Sequence, residues 1–531
     1  MPLVRFFSPQ NEQEIPRGKT VLDAARLCGI TIESPCNANG SCGKCHVLIN
    51  GKSVPACQYV VYEDIEVVLA DHTEDNKSLQ IIAEGAGFSY EINPFITKRL
   101  GTNKTAVDGG GELLGYEDGD TTEAVYALAL DIGTTTLVVG LIDVRSGKTI
   151  ETESALNPQA LYAQDVLGRI QFASNPDGLK TMHSVFIEAL QTMIASLTQK
   201  TGVHRDRIYD VVYSGNTTML HLACAVDPSS LGRFPYTPKL HGGEYQNADE
   251  LALSPFARIY LPPIVSAYVG ADIVSGILSS RLAEKKGVTL FIDIGTNGEM
   301  VLARNGSLAA SSTAAGPAFE GMNISCGMRA SRGAIESFAI DGDEMSYEVI
   351  GDSPTPTGIC GSGLLDIAAE LVRTGVIGKT GRFAKPAEIA GKCAQRLREV
   401  NGKTAFFMSD EVHLSQNDVR QIQLAKGAIR CGAEMLLERS GLCAADVDTV
   451  EIAGSFGYHL REKSLITIGL LPQECAGKVV FVGNTSMSGA AAFLLNKNFR
   501  SKMTRIVEGV SNVELANDKD FEQKFVECLG F

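Results

Sequence analysis

Four cysteines near the start of the chain are spaced for chemistry. Cys36 is followed by five residues and Cys42, then by two and Cys45, then by eleven and Cys57. Four thiolates can complete the outer coordination of a [2Fe–2S] cluster, two on each iron. The residues between them, Asn37-Ala38-Asn39-Gly40-Ser41 and Gly43-Lys44, are mainly small or turn-compatible. Such a loop lets the backbone wrap a cluster and turn its N–H groups toward the sulfurs. Zinc sites favour two Cys-x2–4-Cys hooks and here there is one; a zinc site and four buried thiols are the competing readings. Cys28 lies on the apolar side of a helix pattern and is assigned to the core.

A second constellation is a repeated hairpin. Leu128-Ala129-Leu130-Asp131-Ile132-Gly133-Thr134-Thr135-Thr136 is echoed by Leu290-Phe291-Ile292-Asp293-Ile294-Gly295-Thr296-Asn297-Gly298. An Asp at a strand end followed by Gly-Thr suits a metal–nucleotide complex. Glycine lets amides point at phosphate oxygens, threonine hydroxyls add donors, and the aspartate holds Mg²⁺ through water. A third glycine-rich turn, Ile452-Ala453-Gly454-Ser455-Phe456-Gly457, follows near the far end. Ordinary hairpin turns are the alternative. A P-loop is excluded: Gly-Lys-Thr occurs at 18–20, 147–149, 378–380 and 402–404, but Gln13, Ile142, Arg373 and Leu397 stand where the motif requires glycine.

Weaker signals surround these. Asp272 opens an apolar helix pattern and either meets Mg²⁺ or an attacking water, or caps the helix. Gly361-Ser362-Gly363 precedes another helix and either brings its N-terminus to the nucleotide or makes a plain turn. Gly215-Asn216-Thr217-Thr218-Met219 and Gly483-Asn484-Thr485-Ser486-Met487 are a further echo; Asn216 and Asn484 are expected to stabilise repeated strand–helix turns. The small residues of Ser311–Gly321 suit either a surface closely approached by another molecule or a tight connection. The eight cysteines from Cys224 to Cys528 form no close pair, and the eight histidines form no zinc pattern.

The elements that must position these residues are legible. Leu3–Phe7 reads as a strand, and Lys19–Gly29 as a helix capped by Thr20 and stopped by Gly29. A strand at His46–Ile49, a turn at Asn50-Gly51 and β-rich residues from Tyr59 to Leu69 complete a domain assigned to residues 1–92. Residues 93–123 are acidic and turn-rich, as in a linker or small docking element. Residues 124–531 alternate strand and helix signals, implying α/β layers. The hairpin repeat, about 160 residues apart, suggests a duplicated half-domain: lobe 1 at about 124–285, lobe 2 at about 286–500, and a C-terminal tail at 501–531.

Composition narrows the classes. The chain has 531 residues, 44% hydrophobic and 21% charged, as expected of a folded multidomain protein. Its 62 acidic against 47 basic residues give a net charge of −15, which argues against non-specific nucleic-acid binding. No apolar run reaches the ~18–20 residues of a bilayer span, and the N-terminus carries no signal-peptide pattern. A cytoplasmic protein off the membrane is expected. The 13 cysteines are an odd count, so no disulfide framework is expected.

Cys36-Asn37-Ala38-Asn39-Gly40-Ser41-Cys42-Gly43-Lys44-Cys45 resembles the cluster loop of β-grasp [2Fe–2S] ferredoxins, with five rather than four residues between the first two cysteines. The hairpins and the glycine turn resemble the phosphate-1, phosphate-2 and adenosine motifs of the superfamily of acetate and sugar kinases, heat-shock chaperone ATPases and actin. That resemblance implies two ribonuclease-H-like lobes with ATP in the cleft. Asp131 and Asp293 would lie at Mg²⁺; Gly133, Thr134, Thr135, Gly295, Thr296 and Asn297 would face the phosphates; Gly454, Ser455 and Gly457 would border the adenosine.

The whole order, ferredoxin domain, spacer and ATPase, resembles the reductive activators of corrinoid proteins, which serve methyltransferase systems of anaerobes. The resemblance implies that Cys36, Cys42, Cys45 and Cys57 hold the donor cluster. ATP would drive one electron to a corrinoid protein, returning cobalt(II) to cobalt(I), with an external low-potential donor resupplying the cluster. A homodimer is compatible with it, and a hydroxyl of Ser311–Thr313 is a candidate to reach the cobalt. Two other classes compete: an activator of a radical dehydratase, and a redox-sensing ATPase scaffold. A small-molecule kinase would leave the cysteine loop without a purpose.

Overall fold

Alternating burial organises the N-terminal unit. In β1 (Leu3–Phe7), Val4 and Phe6 point inward while Arg5 and Phe7 do not. With β2 (Gln10–Glu14), β3 (His46–Ile49), β4 (Lys52–Pro55) and β5 (Ile65–Leu69) it forms a mixed sheet ordered β2-β1-β5-β3-β4. β1 and β5 run parallel; the other pairs are antiparallel. Helix α1 (Val21–Leu27) buries Val21, Leu22, Ala24 and Ala25. Thr20 caps it as expected: its Oγ1 accepts from Asp23 N at 3.2 Å, and the Asp23 carboxylate accepts from Thr20 N at 3.0 Å, a reciprocal cap worth about 1 kcal/mol. The structure is a computed structural model that describes every residue except 8–9, 31, 33, 35–37, 39, 41–44, 70–87, 352, 354, 390, 455–459 and 516–517.

Residues 93–123 differ from a plain linker. They contain an antiparallel sheet of β6 (Ile96–Leu100), β7 (Lys104–Gly109) and β8 (Glu112–Asp118). Its glycine-rich run is the hairpin turn itself, with Gly110 and Gly111 at positive φ, so turn chemistry masked the short strands on either side. Lys98, whose side chain is 1% exposed, bolts this sheet to lobe 1. Its ammonium donates to Glu117 Oε2 at 2.8 Å, to Tyr209 Oη at 2.6 Å, and to the carbonyls of Thr121 and Ala124, each at 3.1 Å.

Lobe 1 comprises β9 (Tyr126–Ile132), β10 (Thr136–Asp143), β11 (Lys148–Leu156), α2 (Val166–Phe172), α3 (Pro176–Thr201), β12 (Ile208–Gly215), α4 (Thr217–Ala223), β13 (Glu244–Asn247), β14 (Arg258–Leu261) and α5 (Ala271–Ser279). Lobe 2 begins with β15 (Val288–Ile294), β16 (Gly298–Arg304) and β17 (Ser307–Thr313). It continues through β18 (Ala334–Asp341), β19 (Glu344–Val349), β20 (Gly358–Ile359), α6 (Gly361–Arg373), β21 (Leu397–Val400), β22 (Lys403–Phe407), β23 (His413–Ser415) and α7 (Gln416–Arg439). It ends with β24 (Thr449–Ala453), α8 (Glu462–Thr467), β25 (Val479–Gly483), α9 (Thr485–Leu495), α10 (Asn498–Glu508), β26 (Ser511–Asn512) and α11 (Phe521–Glu527).

The two large sheets are ordered β11-β10-β9-β12-β14-β13 and β25-β24-β15-β16-β17-β26. With the edge strands β13 and β26 set aside, the strands of each large sheet, numbered along the chain, share the order third, second, first, fourth, fifth, with the first three antiparallel and the last two parallel to the first. The hairpin repeat is therefore a repeat in space. The second echo is not: Gly215-Asn216 follows the fourth strand of lobe 1, whereas Gly483-Asn484 follows the fifth of lobe 2. An Asn-capped turn is a local solution to leaving a strand for a helix, available at either place.

Helices α5 and α9 fill the space between the sheets in one core that includes Ile273, Ile277, Phe291, Ala490 and Phe493. They cross closely, because a Cβ on Gly489 would lie 2.3 Å from the Ser275 carbonyl oxygen. Helices α3 and α4 cover the outer face of the first sheet, and α6 and α7 that of the second. Among the described residues no helix is long and apolar enough to cross a membrane.

Candidate nucleotide cleft and cluster site

The cleft between the lobes is lined by Asp131, Gly133, Thr134, Thr135, Asp272, Asp293, Gly295, Thr296, Asn297 and Gly454. These are all the nucleotide-site residues expected from sequence that the structure describes; Ser455 and Gly457 lie outside the described residues. The first hairpin is tight: Gly133 N donates to Thr136 O at 2.9 Å, and a Cβ on Gly133 would sit 2.8 Å from that oxygen. Its backbone is held from behind. The fully buried Arg169 donates to Thr134 O at 2.5 Å, and Asn157 Nδ2 donates to Gly133 O at 2.8 Å. The second hairpin closes with Gly295 N donating to Asn297 O at 2.9 Å. Ile294 pairs with Gly298, whereas Ile132 pairs with Leu137, so the lobe 2 loop is one residue shorter.

Four carboxylates meet at the cleft floor: Asp131, Asp272, Asp293 and Glu299. Burial pushes Asp272 up to about 7 and Asp293 up to about 8, and nearby carboxylate charge adds to both. Burial also raises Asp131 and Glu299. Asp272 and Asp293, crowded in a poorly solvated place, keep their protons until a cation replaces them, whereas hydrogen bonds donated by Asn484 and Ser486 oppose the effect of burial at Asp131. Glu299 was missed from sequence, although the register gives a signal: it lies directly across from Asp293 in the hairpin. Asp272 is not the helix cap. Gly270 is, and Asp272 sits in the first turn accepting from Ile273 N at 2.9 Å.

Asn216 and Asn484 cap α4 and α9 and also line the cleft. Asn216 Nδ2 reaches Thr134 Oγ1 at 3.2 Å, and Asn484 Nδ2 reaches the Asp131 carboxylate at 2.8 Å. Gly361 brings the start of α6 to the same cleft. Glu320, which the sequence marked only as part of the Ser311–Gly321 stretch and not as a site residue, accepts from both Thr135 and Thr296.

Within Ser311–Thr313 the hydroxyls divide. Ser311 Oγ donates to Val513 O at 2.7 Å, and Thr313 Oγ1 to Gly298 O at 3.3 Å. Ser312 instead lines a second cavity with Tyr236 and Tyr268 of lobe 1 and Val513 and Leu515 of lobe 2.

At the N-terminal unit, Cys36 and Cys42 lie outside the described residues. Cys45 and Cys57 are buried in its core. The antiparallel pairing of β3 and β4, with His46 opposite Pro55, puts both at one end of a hairpin, where Ala56 N donates to Cys45 O at 2.8 Å. Gln58 Nε2 approaches Cys57 Sγ at 3.6 Å and donates to Ala38 O at 3.1 Å. Ala38 and Gly40 both take positive φ, and a Cβ on Gly40 would come within 3.0 Å of the Gln58 amide. Two buried thiols with an amide donor at one sulfur and a curled main chain fit an iron–sulfur cluster.

Comparison with known proteins decides the family. The chain is 30% identical to the corrinoid activation enzyme RamQ of Eubacterium limosum over an alignment of 585 residues that covers 98% of each chain. It belongs to the corrinoid reductive activators. Another relative in this group is the [Co(II) methylated amine-specific corrinoid protein] reductase of Methanosarcina barkeri, 25% identical with 77% of each chain covered. A solved activator structure, described as a reductive activator for corrinoid, iron–sulfur protein, superposes with a TM-score of 0.77 at 30% identity. It covers 100% of this chain and 98% of its own.

Three family profiles divide the activator: a 2Fe–2S iron–sulfur cluster binding domain at residues 7–73, the RACo middle region at 126–285, and the C-terminal ASKHA domain of RACo at 287–531. The chain thus joins a 2Fe–2S domain to an ATP-binding ASKHA domain. The last two profiles meet just ahead of β15, so the middle region corresponds to lobe 1 and the ASKHA match to lobe 2.

Proposed function

We propose that this activator uses ATP to drive one electron from its 2Fe–2S cluster onto the cobalt of a corrinoid protein, returning inactive cobalt(II) to the cobalt(I) form that accepts a methyl group. The full-length likeness to corrinoid activators carries the reading, and the cleft supports it. Cys36, Cys42, Cys45 and Cys57 would hold the cluster, which supplies one-electron chemistry near −400 mV if of plant-ferredoxin type. An external low-potential donor would resupply it. Every 100 mV by which cobalt is harder to reduce costs about 2.3 kcal/mol, a gap that ATP-dependent stabilisation of one docked arrangement can offset.

Asp131 and Asp293 would hold Mg²⁺ through water, with Asp272 and Glu299 adding negative charge beside them. Gly133, Thr134, Thr135, Gly295, Thr296 and Asn297 would receive the phosphates from opposite walls. Gly454, Ser455 and Gly457 would border the adenosine. Ser312, which lines the second cavity between the lobes, would be the hydroxyl of Ser311–Thr313 that meets a partner. A cytoplasmic location suits this role.

The test mixes anaerobically reduced protein, Mg-ATP and a cobalt(II) corrinoid protein. The cobalt(I) absorption band should grow only when ATP is present. Reduced protein that yields no cobalt(I) with ATP would reject the proposal in favour of a sensor or scaffold.

A further inference from the structure

Glu320 stands where the hydroxyls of the two hairpins converge. Thr135 of lobe 1 donates to its Oε2, and Thr296 of lobe 2 donates to its Oε1 at 2.6 Å. A hydroxyl has one proton to give. While Glu320 takes both, neither threonine can donate to a phosphate, and a second anion beside this carboxylate would be repelled.

The backbone around Glu320 is built as a separate short turn. Pro317–Glu320 is bounded by Gly316 at φ +78° and Gly321 at φ +79°. A Cβ on Gly321 would lie 2.3 Å from Met328 O, so the far end of the turn can be seated only on glycine. Its near end is tied to the second hairpin, because Gly316 N donates to Thr296 O at 2.9 Å. Immediately before it runs β17, whose Ser312 lines the second cavity.

We propose that Glu320 is a nucleotide-sensing latch. Its carboxylate takes the two hydroxyls that a phosphate would claim, ties lobe 1 to lobe 2 through Thr135 and Thr296, and is displaced when a phosphate of ATP binds them. The inference rests on the reading of the cleft as an ATP site. Displacement breaks the tie from Thr135 to Thr296 across the lobes, while the turn stays seated in lobe 2 by the buried Ala318 and Phe319; because the turn directly follows β17, the change in lobe contact reaches the strand that faces the second cavity.

The experiment is a calorimetric titration of the full, cluster-loaded chain with Mg-ATP, comparing wild type, Glu320→Ala and Glu320→Gln. Glu320→Ala should bind about tenfold more tightly, since hydrogen bonds to a charged group no longer compete for the hydroxyls. Glu320→Gln keeps an acceptor of the same size and should fall between, which guards against a folding defect in the alanine variant. The gain should shrink in a Thr296→Val background, because the released donor is then missing. Equal or weaker binding by both Glu320 variants, with wild type binding normally, overturns the latch alone. A wild-type chain that binds no Mg-ATP overturns the ATP reading and the latch's ligand together.

Discussion

Asn484 donates its side-chain N–H to the Asp131 carboxylate at 2.8 Å although 353 positions separate them in the chain. Ser486, in the first turn of the helix that Asn484 caps, donates to the other carboxylate oxygen at 2.8 Å. The start of α9, which belongs to lobe 2, thus fixes the orientation of a lobe 1 aspartate at the cleft floor. Asn484 also caps α9 by accepting from Met487 N at 2.9 Å.

Asn484→Ala should therefore cost more than a surface cap. Loss of the cap costs about 1 kcal/mol, and loss of a hydrogen bond to a charged group about 1.5–3 kcal/mol. Ser486→Ala spares the cap but removes the bond to the carboxylate and a contact with Ser214 Oγ at 2.8 Å. Chemical denaturation should rank the variants wild type, Ser486→Ala, Asn484→Ala in falling stability, and Mg-ATP affinity should fall in both variants. Equal stability of Asn484→Ala and wild type would refute the double role.

Cys57→Ser and Cys45→Ser should each lose visible absorption and lower the iron content from about two per chain, because each cluster iron needs two thiolates. Cys28→Ser, at the residue that ends α1 and packs against the edge of the same core, should keep its iron. Anaerobic purification followed by iron analysis checks this, and full iron content in Cys57→Ser would remove that residue from the ligand set.

The carboxylate cluster predicts a pH signature. Asp272 and Asp293 release protons near 4 in the unfolded chain but near about 7 and about 8 when folded without metal. Between those values the folded state holds more protons, so their contribution to stability is complete below about pH 4 and is lost as pH rises through about 7 to 8. Mg²⁺ must expel those protons and gains as they leave. The rise in melting temperature on adding Mg²⁺ should therefore be larger at pH 8.5 than at pH 6. A pH-independent rise would count against the cluster as the cation seat.

Ser311 and Ser312 should separate by phenotype. Ser311→Ala loses its bond to Val513 O and about 1 kcal/mol of stability. Ser312→Ala, facing the second cavity, should leave stability within about 0.5 kcal/mol and slow cobalt(I) formation. Unchanged reactivation by Ser312→Ala would dismiss a partner role for that hydroxyl.

Much of the cleft was legible because its chemistry is local. Asp131 and Asp293 announce themselves by a strand, a glycine and a threonine in sequence, and Thr20 by its place just ahead of an amphipathic helix pattern. Residues recruited over distance left no such mark. Glu320 reaches Thr135 across 185 positions, and the small residues around it mark a close approach without saying that this acid takes part. Asn484 was visible only as a helix cap, since its second bond depends on α9 packing against the other lobe. The sheet of β6–β8 was hidden by its own turns, whose glycines and acids outnumber the apolar residues between them.

The displaced Gly-Asn-Thr turns matter for anyone who would rebuild this ATPase. A hybrid assembled by aligning those matching words would splice lobe 2 out of phase by an entire strand–helix unit. Its sheets would still read as plausible, yet the amide that steadies Asp131 would arrive beneath the wrong wall. Grafts between halves of this protein should be registered on strand order, with the asparagine turns treated as independent parts.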